Sequence, residues 1–341
     1  MMKLPLSSTM LLAFVALSGV WTARKLVPPE PFTSRLEKIP ATEMGPRAPN
    51  DAKFFRPAGR KSPFGLATDL QVQTMLLNPS RLAYMAWALR NTTCRDSRSA
   101  CFSTPDSRFV DVGCGDGLAT AELAASRGFN MVGVDMLEEA VAWASANAEL
   151  LAGESEGEVP EGGDSGTEGG AAELSQQPGK LRFTQGSAYL LPFADRSVDG
   201  LLLLRMLEHI DDLPRLMHEV TRVLKPGGVL AFHTVNRTWL SFAVMIKLAQ
   251  DVLFLTRHGM HDWRLFVKPS EITSLLRAWG FAVQRADFVG LRPGVDLDRF
   301  ISNKKPGWGG LLGEYQFTRD LALEYVGYAI LRHEPGTSTS N

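Results

Sequence analysis

The chain has 341 residues, 45% of them apolar and 21% charged, with 36 basic against 37 acidic side chains and a net charge of −1. This balance excludes a chain disordered throughout, a collagen and a polytopic membrane protein, and it leaves no basic field to hold nucleic acid. Three cysteines, Cys94, Cys101 and Cys114, are too few for a disulfide scaffold or a four-thiolate zinc site.

Residues 1–60 read as a targeting segment and linker. Lys3 precedes the apolar run Met10–Trp21, which is followed by Arg24 and Lys25. The run is short for a membrane span. Its charged start and apolar middle suit a secretory signal, and the excess of Arg and Lys suits an organelle presequence. An interfacial anchor is the third alternative. Fold reasoning therefore starts at residue 61 and runs to 333, with 334–341 a polar tail.

In chain order, the pattern predicts a strand at Arg108–Val112, a helix at Leu118–Arg127, a strand at Asn130–Val134 and a helix at Glu138–Leu151. Residues 153–180 then carry seven acids, one lysine and eight glycines. Such a stretch cannot bury enough apolar surface to offset its ordering entropy and reads as a disordered insertion. Setting it aside leaves five more basic than acidic residues, a lean that suits an anionic membrane surface. A strand follows at Leu181–Thr184. The apolar run Val198–Leu204 is of buried parallel-strand type. A helix at Leu213–Leu224 is stopped by Lys225-Pro-Gly-Gly228, and a strand occupies Val229–Val235. Strands alternating with helices predict a doubly wound, mostly parallel α/β sheet.

The segment 237–258 is apolar through Trp239, Leu240, Phe242, Ile246, Val252 and Phe254. Lys247 and Asp251 interrupt it one helical turn apart. It reads as an inserted amphipathic helix, either lying in a membrane interface between Arg237 and Arg257 or packed as a lid on the core.

The stretch that carries chemistry is Asp111-Val-Gly113-Cys-Gly115-Asp-Gly117, between a predicted strand and a predicted helix. Glycines here let the backbone turn sharply and let a ligand approach it. Asp135 ends the second strand, where a carboxylate can accept the ribose hydroxyls of an adenosine. A dinucleotide fingerprint spaces its third glycine one residue later to admit a pyrophosphate. The tighter spacing here and the acid Asp116 favour a cationic sulfonium cofactor, S-adenosylmethionine, over a nicotinamide dinucleotide, which stays as an alternative.

With these residues the chain resembles the class I S-adenosylmethionine-dependent methyltransferases, whose Rossmann-like fold has a seven-stranded sheet. Gly186–Phe193 with Asp195 and Asp199 looks like that family's third-strand segment, with Ser187 where an acid is usual. Leu224–Gly228 is similar to its turn before strand five. On this resemblance the fold closes with an antiparallel pair, Phe281–Val289 and Leu323–Leu331. Five further segments narrow the likeness: Leu77–Tyr84, Arg205–His209, Thr234–Thr238, Gly259–Trp263 and Phe266–Pro269. Together they resemble the ubiquinone biosynthesis O-methyltransferases, which methylate polyprenyl catechol-type intermediates.

The resemblance implies that Gly113, Gly115 and Gly117 shape the cofactor loop, that Asp135 holds the ribose, that Arg81 contacts the methionine carboxylate and that Leu204 packs beside the cofactor. It places Glu208 and His209 at the acceptor oxygen, as ligands of Mg2+ or another divalent metal or, for His209, as a general base. Arg205 stands where the family's metal-binding segment has an acid, and it is a candidate for stabilising a phenolate. His261 and Asp262 are expected to line the substrate mouth, and His218 and His233 receive no role. The family further implies a place on the matrix side of the mitochondrial inner membrane, peripheral contact through 237–258, and other quinone-biosynthesis proteins as partners. Another organelle or a secretory route remains the alternative. A methyltransferase of a different acceptor and a non-catalytic S-adenosylmethionine binder are the rival functions.

Overall fold

The computed structural model describes residues 77–93, 106–155, 179–252, 259–284, 287–295 and 312–332. The targeting segment, Cys94, Cys101, nearly all of the acidic insertion, the end of the 237–258 segment and the polar tail lie outside the described residues.

Five parallel strands form the heart of one sheet: β1 (Arg108–Val112), β2 (Asn130–Asp135), β3 (Leu181–Gln185), β4 (Val198–Leu204) and β5 (Leu224–Val235). Their order is β3-β2-β1-β4-β5. Strand β4 is buried along its whole length, which is why it reads as an unbroken apolar run. Its one acid, Asp199, is matched inside the sheet: the Arg108 N–H donates to it at 2.9 Å and Lys225 Nζ at 2.6 Å. The Lys225-Pro-Gly-Gly228 turn is a bulge within β5. Pairing with β4 jumps from Val198↔Leu224 to Gly200↔Val229, and Gly227 takes a positive φ of 82°.

The sheet continues through β9 (Glu324–Leu331), β7 (Val289–Val295) and β8 (Leu312–Thr318), each antiparallel to its neighbour. Strand β6 (Phe281–Ala282) pairs with the far end of β9. The described sheet thus has nine strands against the seven expected. The predicted strand Phe281–Val289 is split: Ala282 pairs with Ile330 and Val289 with Val326, so more residues run between the two pairs on this side than on β9. The Phe288 ring packs edge-on to Phe232 at 5.4 Å and stacks on Tyr325 at 5.7 Å.

Helices cover the sheet. They are α1 (Asn78–Thr93), α2 (Leu118–Arg127), α3 (Glu138–Ser155), α4 (Leu213–Val223), a short α5 (Trp239–Ser241) and α6 (Pro269–Ala278). Helix α4 buries Leu213, Leu216, Met217, Val220 and Val223, spaced three and four apart, and Asp212 caps its N-terminus by accepting the Arg215 N–H at 3.0 Å.

The expected inserted helix is α5 running on as a π-helix, Phe242–Val252. Phe242 and Ile246 pack against Val235 and Phe266, so one face lies on the core. The other leaves Trp239 62%, Leu240 46%, Leu248 42% and Val252 47% exposed. Lys247 and Asp251 pair at 2.7 Å, which cancels the two charges that interrupt the run. Among the described residues no helix is long and apolar enough to cross a membrane.

Candidate active site

The site collects at the C-terminal ends of β1, β2, β4 and β5. Gly113, Gly115 and Gly117 have φ of 74°, 55° and 73°, a left-handed backbone that costs other residues roughly 1–2 kcal/mol each. Packing demands glycine as well. A Cβ on Gly113 would lie 2.5 Å from Met206 Sδ, and one on Gly117 would lie 2.6 Å from Ala144 Cβ and 2.7 Å from Phe183 Cζ. The loop is tied to β2 by the Gly113 N–H to Val134 O at 2.7 Å. Asp135 accepts the Gly115 N–H at 3.0 Å and the Leu137 N–H at 3.0 Å, one on each oxygen. Asp116 Oδ1 accepts the N–H of Leu118, the first residue of α2, at 3.1 Å. Leu204 is buried at the end of β4.

Two buried groups at this loop carry unmatched polar atoms. Arg81, on α1, is hydrogen-bonded to Asn78, while its Nε has no partner. Asp111 accepts Thr120 Oγ1 at 2.7 Å on one oxygen, and its other oxygen has no partner. Burial lowers the Arg81 guanidinium to about 10 and pushes the Asp111 carboxyl up to about 6, each countered by the other's charge. An incomplete cation and an incomplete anion suit a zwitterion, the amino-acid end of S-adenosylmethionine. The residues present therefore fit that cofactor. Asp111 was missed in this role; the signal was an acid opening a glycine motif inside an otherwise apolar strand.

A second cluster starts at Arg205. Its backbone has φ 58°, and its N–H donates to His233 O at 2.9 Å. Nη1 donates to Glu324 Oε1 at 2.5 Å, Nε lies 2.6 Å from Glu208 Oε1, and Nη2 is 3.3 Å from His261 Nε2. The other Glu208 oxygen accepts Thr234 Oγ1 at 2.9 Å, and Glu324 Oε2 lies 3.3 Å from His233 Nε2. Burial raises the Glu324 carboxyl, but Arg205 and His233 outweigh it and hold the group at about 2. His261 is driven well below its usual range by burial and by Arg205, so its ring is neutral. His233 is lowered by burial too, against the pull of Glu324.

These contacts surround the two residues expected to hold a metal, Glu208 and His209. Glu208 is buried, with Arg205 Nε close to one oxygen, without hydrogen-bond geometry, and Thr234 donating to the other. Arg205 itself puts a positive charge where an ion would have to sit. Among the described residues no group of three His, Cys, Asp or Glu side chains is arranged to hold a metal. The same contacts turn Glu208 toward Arg205 and Thr234. They also spend the charge of Arg205 on two carboxylates, so a phenolate gains little from it. His209 closes the turn Leu207–His209, is only partly buried, and has its ring centroid 5.6 Å from that of His261. His261 is buried in this cluster, and Gln250 fixes it by accepting its backbone N–H at 3.0 Å. Asp262 pairs instead with Arg264. Glu324 was not anticipated, because the acid lies 119 residues from Arg205 at the head of an apolar strand.

Known proteins similar to this chain are methyltransferases. A family model described as a methyltransferase domain matches residues 86–286. A ubiquinone biosynthesis O-methyltransferase of Alkalilimnicola ehrlichii is 31% identical over 77% of this chain and 84% of its own length. The protein of that name from Hahella chejuensis is 28% identical over 74% and 83%. Among solved structures, a magnesium protoporphyrin IX methyltransferase of Synechocystis is similar with a TM-score of 0.44 and 16% identity, covering 78% of this chain and 86% of that one.

Proposed function

The chain belongs to the ubiquinone biosynthesis O-methyltransferase family, and on that premise we propose that it methylates a phenolic oxygen of a polyprenylated catechol-type intermediate, with S-adenosylmethionine as donor. The observation that carries the donor half is the pair of buried, incompletely bonded groups Arg81 and Asp111 at the glycine loop.

Bound S-adenosylmethionine supplies a methyl group already activated on a positively charged sulfur. The chain's own task is to hold the partners and manage one proton. Arg81 and Asp111 anchor the amino-acid end, Asp135 at the end of β2 accepts the ribose hydroxyls, and the glycine loop admits the ligand to the backbone. A phenol with pKa of about 10 is mostly protonated at neutral pH, and the competent nucleophile is the phenolate. We assign that proton to His209, because Glu208 lies against Arg205 and His261 and His233 are made poor bases by burial. The proton passes from the acceptor oxygen to a ring nitrogen of His209.

A polyprenyl substrate resides in a membrane, and the exposed Trp239, Leu240, Leu248 and Val252 give the molecule an apolar face. We place this face against a bilayer. The family resemblance and the basic N-terminal segment favour the matrix side of the mitochondrial inner membrane. Other quinone-pathway proteins are natural neighbours there.

Incubation of the full chain with labelled S-adenosylmethionine and a short-tailed prenyl catechol tests the reading. The expected product is the methyl ether. Cofactor binding with no methyl ether from any catechol would overturn the acceptor assignment.

A further inference from the structure

Arg205 occupies a position that resists it. A left-handed backbone at a long side chain is uncommon, and burying a guanidinium is costly unless it is matched. Its matches are specific. Two carboxylates, each nearly inaccessible to solvent, approach it from different directions: Glu208 from the turn after β4 and Glu324 from the start of β9. The neutral ring of His261 meets its third nitrogen, and His261 Nδ1 is buried with no partner. Two acids and an imidazole around one positive charge form a cation-binding shell whose cation is covalently part of the chain.

We propose that Arg205 is a tethered cation that takes the electrostatic place of a divalent ion between Glu208 and Glu324, so that this chain binds no divalent metal at its acceptor side and works without one. The catalytic half of this statement rests on the acceptor reading above; the binding half does not. Arg205 is then a positioning residue. It neutralises the carboxylates and fixes the turn that presents His209, while the acceptor proton goes to His209. Glu208, Glu324 and His261 meet three different nitrogens of Arg205 and are not arranged as a metal site in the wild type; removing the charge leaves two uncompensated carboxylates and an imidazole that close on the vacated space to take Mn2+ or Mg2+.

Mn2+ titration of the full chain, followed by the electron paramagnetic resonance signal of the free ion, tests this without any acceptor. The wild type is expected to leave Mn2+ free and to unfold at the same temperature in Mn2+ and in EDTA. Arg205→Gln is expected to bind Mn2+ at least about tenfold more tightly, because a like charge a few ångströms from the ion is gone, and to unfold at a higher temperature with Mn2+ than with EDTA. Arg205→Lys keeps the charge and is expected to stay silent. Wild-type Mn2+ binding that Glu208→Gln abolishes would overturn the proposal, as would a folded Arg205→Gln that binds no more tightly than wild type. Should Arg205→Gln fail to fold, the wild-type and Arg205→Lys titrations decide, since binding in either contradicts the tethered cation. Failure of the catechol assay alongside silent wild-type Mn2+ titrations would count against the acceptor reading alone.

Discussion

The carboxyl of Asp111 sets a pH signature that can be worked through. Burial raises it from 3.8 to about 6, with Thr120 and Arg81 pulling the other way. Between these values the folded protein holds a proton at Asp111 that the unfolded chain has released. Stability from this group is therefore present below the unfolded value and is lost as pH rises through the folded one. The displacement corresponds to about 3 kcal/mol. Other carboxyls titrate in the same range, Glu324 with the opposite sign, so the quantity to measure is a difference. Urea unfolding of wild type and Asp111→Asn from pH 4 to 8 should show the variant gaining on the wild type as pH rises, by up to about 3 kcal/mol. Cofactor binding should run the other way. The ammonium group of S-adenosylmethionine selects ionised Asp111, so its Kd is flat above about pH 7 and rises by up to about tenfold per pH unit below about 6. Asp111→Asn should weaken binding and flatten this profile. Parallel pH–stability curves for the two proteins, or a wild-type Kd that ignores pH, would refute the assignment.

Gly117→Ala combines a left-handed backbone with rigid neighbours at 2.6 and 2.7 Å, and it should cost about 2–5 kcal/mol in denaturant unfolding. His209→Gln should lower kcat by roughly 10²–10⁴-fold while leaving the KM for S-adenosylmethionine in place, as measured by steady-state methyl transfer. Replacing Trp239, Leu240 and Leu248 with serine should release the protein from anionic vesicles in a flotation assay; undiminished binding would remove 239–252 from the membrane contact.

Local signals were legible where the physics is local. Arg108–Val112, Leu118–Arg127 and Val198–Leu204 are found where the sequence pattern puts them. Apolar periodicity and glycine punctuation act within a few residues, and the parallel core leaves β4 no polar face. The glycine loop and Asp135 were legible for the same reason. Strand β8 was not. Leu312–Thr318 mixes polar and apolar residues and exists because β7 offers it an edge. The two faces of the 239–252 helix separate only in three dimensions, since both are apolar. The acceptor side was legible as a place but not as a chemistry. Arg205-Met-Leu-Glu-His209 marks the end of β4, yet the role of Arg205 depends on Glu324, and no local pattern announces a partner 119 residues away.

That separation has a consequence during synthesis. Strand β9 slots between β5 and β7, and it brings Glu324 to the middle of a sheet whose other central strands precede it in the chain. A nascent chain emerges N-terminus first. It can lay down β1 to β5 and shape the glycine loop while Arg205 has Glu208 beside it but not yet Glu324. The shell around Arg205 closes when the last strand enters. A spectroscopic probe near Arg205 would therefore report completion of the whole sheet, whereas one at Gly115 would report only its parallel half.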